Sequence, residues 1–149
     1  MKVKLLILAL LPLLFASCDM NDLFDEGDIN GTYDGPTVVA FDPPEREVSD
    51  DGGSTSIEIQ LIGEQRDSDL AVSFSVDGES SAEAGTHYNV TTSSPVTLAA
   101  GASTVDVEIE LISDSVPDGG EVQLIINLDG GDGVEVAENY KSHRVFIQG

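Results

Sequence analysis

From Ser103 to Ile112 apolar and acidic residues take turns: Val105, Val107, Ile109 and Leu111 against Asp106, Glu108 and Glu110. A side-chain period of two belongs to a strand, because successive residues of a strand point to opposite faces. The same alternation places Ile57, Ile59 and Leu61 on one face of Ser54–Leu61, and Leu70, Val72, Phe74 and Val76 on one face of 70–76. It puts Val122, Leu124, Ile126 and Leu128 inward in 121–128, and Val145 and Ile147 inward in 144–147. Shorter runs at Thr37–Phe41 and Val96–Leu98 complete about seven strands, with Arg46–Val48 as an edge piece after Pro43-Pro44. Asp50-Asp51-Gly52-Gly53, Asp77-Gly78, Pro117–Gly120 and Asp129–Gly133 are turns between them. Each strand then buries one face and wets the other, and two antiparallel sheets packed face to face satisfy them all. The expectation is an all-β chain with a sandwich over residues 36–149. A chain of this length buries roughly two thirds of its unfolded surface, enough for a core without disulfides.

The N-terminus is of another kind. Lys2 and Lys4 open a short basic region, Leu5–Phe15 is an apolar run, and Ala16, Ser17 and Cys18 follow. Eleven apolar residues do not span a bilayer, which takes ~20, but they do make a secretory leader. The chain's one Cys stands directly after the small pair. Phe15-Ala16-Ser17-Cys18 resembles the lipobox of bacterial lipoproteins, with Phe15 where Leu is usual. The resemblance implies removal of residues 1–17, lipid on the Cys18 sulfur, and attachment at the cell envelope, on the outer membrane, facing the periplasm or the cell surface. The alternative is ordinary leader cleavage that leaves a free thiol. Residues 18–35 are polar and Gly-containing, with Asp19, Asp22, Asp25, Glu26 and Asp28 near the start. They read as a flexible acidic tether spanning roughly 20–25 Å. Acidic residues there also resemble export signals of some surface lipoproteins.

In the middle, Ala82-Glu83-Ala84-Gly85-Thr86-His87-Tyr88 interrupts the alternation, after a strand ending in Asp77-Gly78 and before Val96–Leu98. This order resembles the Calx-β group of immunoglobulin-like domains. It is closer still to domains of uncharacterised surface lipoproteins that carry Gly-x-His-Tyr. The resemblance covers Thr37–Ile147 and implies an immunoglobulin-like antiparallel β-sandwich. Gly85 suits a turn with positive φ, Tyr88 can bury its ring at a sandwich corner while its hydroxyl finds a backbone partner, and His87 can hydrogen-bond there.

Calx-β domains can bind Ca²⁺ through acidic loops, so the resemblance makes calcium a candidate ligand and Asp50, Asp51, Asp77, Asp114 and Asp118 its candidate metal residues. Ca²⁺ takes 6–8 oxygens. The calcium-binding pattern, however, has Asp where His87 stands, and consecutive Asp residues where Ser115 follows Asp114. The competing reading is a set of turn residues on a solvated acidic surface.

Charge narrows the function classes. Six Lys and Arg against 28 Asp and Glu give −22, and −24 once Lys2 and Lys4 are removed. Phosphate contacts need clustered cations, so nucleic acid is excluded as a partner. A lone Cys excludes a disulfide framework and a Cys-based zinc site. No Gly-x-Ser-x-Gly elbow is present, and the expectation is no enzyme and no catalytic residue. Tyr33, Tyr140 and Phe146 are the aromatic residues left over for a glycan. The reading is therefore a non-catalytic interaction or accessory domain with an envelope protein partner. The alternative is a ligand-binding module for a glycan or calcium ions.

Overall fold

The computed structural model describes residues 35–149. The leader, Cys18, Tyr33 and the tether up to Asp34 lie outside the described residues. Among the described residues ten strands form: β1 Val38–Phe41, β2 Glu45–Ser49, β3 Gly53–Ile62, β4 Leu70–Val76, β5 Tyr88–Val90, β6 Val96–Leu98, β7 Thr104–Leu111, β8 Glu121–Gly130, β9 Glu135–Val136 and β10 Ser142–Gln148. They make two five-stranded sheets, β5-β7-β3-β1-β9 and β2-β10-β8-β4-β6. The fold is the all-β sandwich read from the alternation.

The long strands follow their side-chain period. β3 and β7 pair antiparallel from Gly53 opposite Leu111 to Gln60 opposite Thr104. This sets Ile57 opposite Val107 on the core face and Glu58 opposite Asp106 on the outer face. Ile57, Ile59, Val107 and Ile109 meet Val72, Leu124, Ile126, Val145 and Ile147 from the other sheet, all fully buried. Each such side chain contributes about 1.5–3 kcal/mol by leaving water. The outer face of β7 carries Asp106, Glu108 and Glu110 to solvent, where like charges opposite each other weaken the pairing slightly.

Three features go beyond alternation. After β1 the chain passes Pro43-Pro44 and changes sheets, so β2 pairs with β10, and this pair is parallel. The β1–β9 pair is parallel as well; both join strands that no hairpin connects. In β4, parity puts Val76 inward, yet it is 42% exposed. β6 covers only Leu70–Val72, so the far half of β4 is the sheet edge, beyond a register shift at Ser73/Phe74. Finally, β1 is buried on both faces. The segment after β9 lies against it, the Ala137 N–H donating to the Val39 carbonyl at 2.9 Å.

Candidate functional site

Most of the residues singled out by sequence fall in two regions. The first is the end of the sandwich where β3 begins and β7 ends. The Asp50–Gly52 turn reaches the β7–β8 loop there. The Asp114 N–H donates to the Asp50 carbonyl at 3.2 Å, and the Val116 N–H donates to Asp50 Oδ2 at 2.8 Å. Asp50 is 7% exposed. A Cβ added to Gly52 would come within 3.3 Å of Ser113 Cβ, so the two loops touch. Asp118 lies on the same loop, where the Gly119 N–H donates to the Gly149 carbonyl at 3.2 Å. Asp51 and Asp118 are exposed, and Asp114 adopts φ +52°.

Gly85, His87 and Tyr88 stand at this end too. Gly85 has φ +78°, and its N–H donates to the Tyr88 carbonyl at 2.8 Å. The Glu83 N–H donates to His87 Nδ1 at 2.9 Å, while the His87 N–H returns to the Glu83 carbonyl at 2.9 Å. His87 thus closes a small ring of bonds over the turn. Its carbonyl takes the Ile112 N–H at 3.0 Å, which ties the turn to the end of β7. Tyr88 is 3% exposed, and burial pushes its phenol above the ordinary value near 10. Its hydroxyl makes no hydrogen bond to a described residue.

Asp77 stands apart, on the outer face of β8. It accepts the Glu79 N–H at 2.8 Å and the Asn127 amide at 2.6 Å. The Glu79 bond first, then Asn127, hold its carboxyl below the usual 3.8, against a small opposing effect of burial. Of the five candidate metal residues, the fold therefore gathers Asp50, Asp51, Asp114 and Asp118 at one end and leaves Asp77 elsewhere. Among the described residues no group of three or more His, Cys, Asp or Glu side chains is placed to hold a metal ion. One Asp50 oxygen is already committed to a backbone N–H. This arrangement does not fit a formed Ca²⁺ cage, which needs 6–8 converging oxygens.

The second region is the outer face of β1 and β3. Ala40 lies opposite Gln60, and the 3-10 turn Glu138–Tyr140 is clamped beside them through Ala137. A cleft of about 260 Å³ opens there, lined by Ala40, Phe41, Asp42, Gln60, Ile62 and Tyr140. Tyr140 is 46% exposed. Sequence singled out Tyr140 but not Asp42, Gln60 or Ile62, because their meeting depends on a strand pairing and a docked turn. Phe146, the other aromatic candidate, is half-buried beside Glu45, Arg46 and Glu47.

His143 behaves differently from His87. It is fully buried, edge-on to Phe41 at 5.7 Å between ring centroids. Its Nδ1 lies 2.7 Å from the Pro43 carbonyl. A carbonyl only accepts, so Nδ1 carries the proton, and the buried Nε2 has no partner among the described residues. Burial pushes the imidazole below its ordinary 6.5; the Pro43 bond opposes this, Arg46 adds to it and Glu45 counters.

The architecture defines an immunoglobulin-like β-sandwich. More narrowly, the fold is Calx-β-like. The chain superposes on the crystal structure of the apo-form Calx CBD1 domain with a TM-score of 0.64 and 21% identity, over 76% of this chain and 97% of that one. It is similar to CBD12 from CALX1.2 (TM-score 0.63, 21% identity, 74% of this chain) and to the calcium binding domain CBD12 of CALX1.1 (0.62, 22%, 74%). The chain spans 43% of each of those two. No family model and no curated protein matches the chain.

Proposed function

We propose that the chain is a non-catalytic binding module, held at the outer membrane of the cell envelope by lipid on Cys18, whose sandwich engages an envelope protein. The observation that supports the binding role is the fold itself, shared with domains of which one is described as a calcium binding domain. The anchor is supported by the leader and the position of Cys18. Two or three acyl chains there would hold the protein firmly, each buried CH₂ adding about 0.8 kcal/mol. The experiment is metabolic labelling with an alkyne fatty acid, combined with crosslinking in intact cells. The wild-type chain is expected to take up label and give one discrete adduct with an envelope protein, and Cys18→Ser to lose the label. A chain that labels but gives no adduct would sink the protein-partner role.

Calcium is the second reading, supported by the neighbour's description and by the shared end of Asp50, Asp51, Asp114 and Asp118. It requires those loops to rearrange. Melting of the full chain in EDTA, millimolar Ca²⁺ and millimolar Mg²⁺ decides it. An ion that binds only the folded state at a hundredfold excess over Kd adds about 2.7 kcal/mol, so a specific site raises Tm by several degrees for Ca²⁺ alone. Equal small shifts for both ions mean screening of an acidic surface.

A further inference from the structure

The cleft beside Tyr140 brings together polar side chains that water, and no other described side chain, satisfies. Asp42, Gln60 and Tyr140 are among the residues that line it, and none of the three makes a side-chain hydrogen bond to a described residue. Their backbones, in contrast, are fixed. The Asp42 N–H donates to the Glu58 carbonyl at 3.2 Å, and the Tyr140 N–H donates to the Ala137 carbonyl at 2.9 Å. The turn that carries Tyr140 is itself held on β1 by the bond from Ala137 to Val39. Binding would therefore order little backbone, which is the main economy open to a small site.

The lining also selects a chemistry. Tyr140, 46% exposed, brings an aromatic ring and Ile62 an apolar side chain to the lining, while Asp42 and Gln60 bring an acceptor and a mixed donor–acceptor. A pyranose presents the complement: a face of C–H groups beside a rim of hydroxyls that both donate and accept. Its C–H groups carry partial positive charge, which the negative face of an aromatic ring attracts. The volume, about 260 Å³, lies below the ~300 Å³ at which pockets for drug-sized ligands begin, so it suits one ring and not an extended chain. The lining holds Asp42 and no Lys, Arg or His, on a chain of −22; uronic acids and sugar phosphates are repelled. A larger hollow of about 560 Å³ on the other side of the turn is framed by Asp129, Glu135, Glu138 and Lys141. It lacks an aromatic ring, and its Lys141 is paired with Glu138 at 3.0 Å.

We infer that the Tyr140 cleft is a binding site for a single neutral pyranose, as the terminal residue of an envelope glycan would present. The inference rests on the binding-module reading and gives that module a second kind of ligand.

The full chain in detergent is mixed with methyl β-glucoside, methyl α-mannoside and methyl β-galactoside in turn, with methyl glucuronide as the anionic control. Saturation-transfer NMR on the ligand protons is the readout. At least one neutral glycoside is expected to receive saturation, strongest at its ring C–H protons, with a Kd in roughly the millimolar range. Tyr140→Ala should weaken it by about tenfold or more, Tyr140→Phe by less than about threefold, and Asp42→Asn by an intermediate factor. Urea midpoints measured on the same variants show that each still folds. No transfer to any of the three neutral glycosides overturns the site, as does binding unchanged by Tyr140→Ala or binding of the glucuronide as tight as that of its neutral counterpart. If sugar binding fails while the crosslinked envelope adduct persists, only the saccharide site falls. If sugar binds and no adduct forms, the site stands and the protein-partner role falls.

Discussion

Asp50 at the loop end of the sandwich and Asp42 in the cleft beside Tyr140 are both aspartates, but the fold uses them in opposite ways. At the loop end Asp50 is buried and its carboxylate takes the Val116 N–H, while His87 closes on Glu83. Those two groups are spent on holding the turns in place, while the exposed Asp51, Asp114 and Asp118 carboxylates accept no hydrogen bond from a described residue. Beside Tyr140 the Asp42 carboxylate has no such duty. Neither end could be ranked by counting acidic residues. What separates Asp50 from Asp42 is whether the carboxylate already has a partner within the fold, since a committed oxygen must break one bond before it makes another.

Substitutions sharpen that contrast. The largest effect is expected from Asp50→Ala, which strands a buried N–H. The loss should be about 1–3 kcal/mol, read as a lower urea midpoint at unchanged slope. An Asp50→Ala chain as stable as wild type would mean that the loop end is not held by this carboxylate.

A smaller effect comes from acidification. Burial holds the folded-state value of His143 below the ordinary 6.5, so as pH falls through 6.5 the unfolded chain takes up a proton before the fold does. A depressed folded-state value means the contribution of His143 is intact above pH 6.5 and is lost as pH falls from there toward that value. The fold should therefore weaken below pH 6.5, and His143→Leu should weaken less steeply over the same interval. Parallel pH profiles for the two chains would refute the assignment.

The smallest effect belongs to Asp42→Asn, expected within about 0.5 kcal/mol of wild type. A loss as large as that of Asp50→Ala would show that Asp42 is also structural, and would erase the difference between the two regions.

The long strands were legible because their alternation is uninterrupted: Ile57, Ile59 and Leu61 in β3, and Val107, Ile109 and Leu111 in β7, are all buried. Strand pairs that depend on distant chain were not. Nothing local to Glu45–Ser49 says that it leaves the sheet of β1 for a parallel place beside β10, and Glu135–Val136 is too short to show a period. β5 was hidden because it starts at Tyr88, where the segment that interrupts the alternation ends, and runs only to Val90. The candidate site divides the same way. Tyr140 was visible as an aromatic residue without a core position, whereas Asp42 and Gln60 become its neighbours only through the register of β1 and β3.

The place of β10 has a consequence for how fast the molecule forms. It lies between β8 and β2, and His143 meets the Pro43 carbonyl 100 residues back along the chain. One flank of that sheet therefore waits on a long loop closure, whose entropy is lost before any pairing rewards it. Sandwiches dominated by such distant partners fold in roughly milliseconds to seconds, where helical bundles of similar size take microseconds to milliseconds. Until β10 arrives, β2 and β8 face water with unpaired edges, and that interval is when a second chain could take its place.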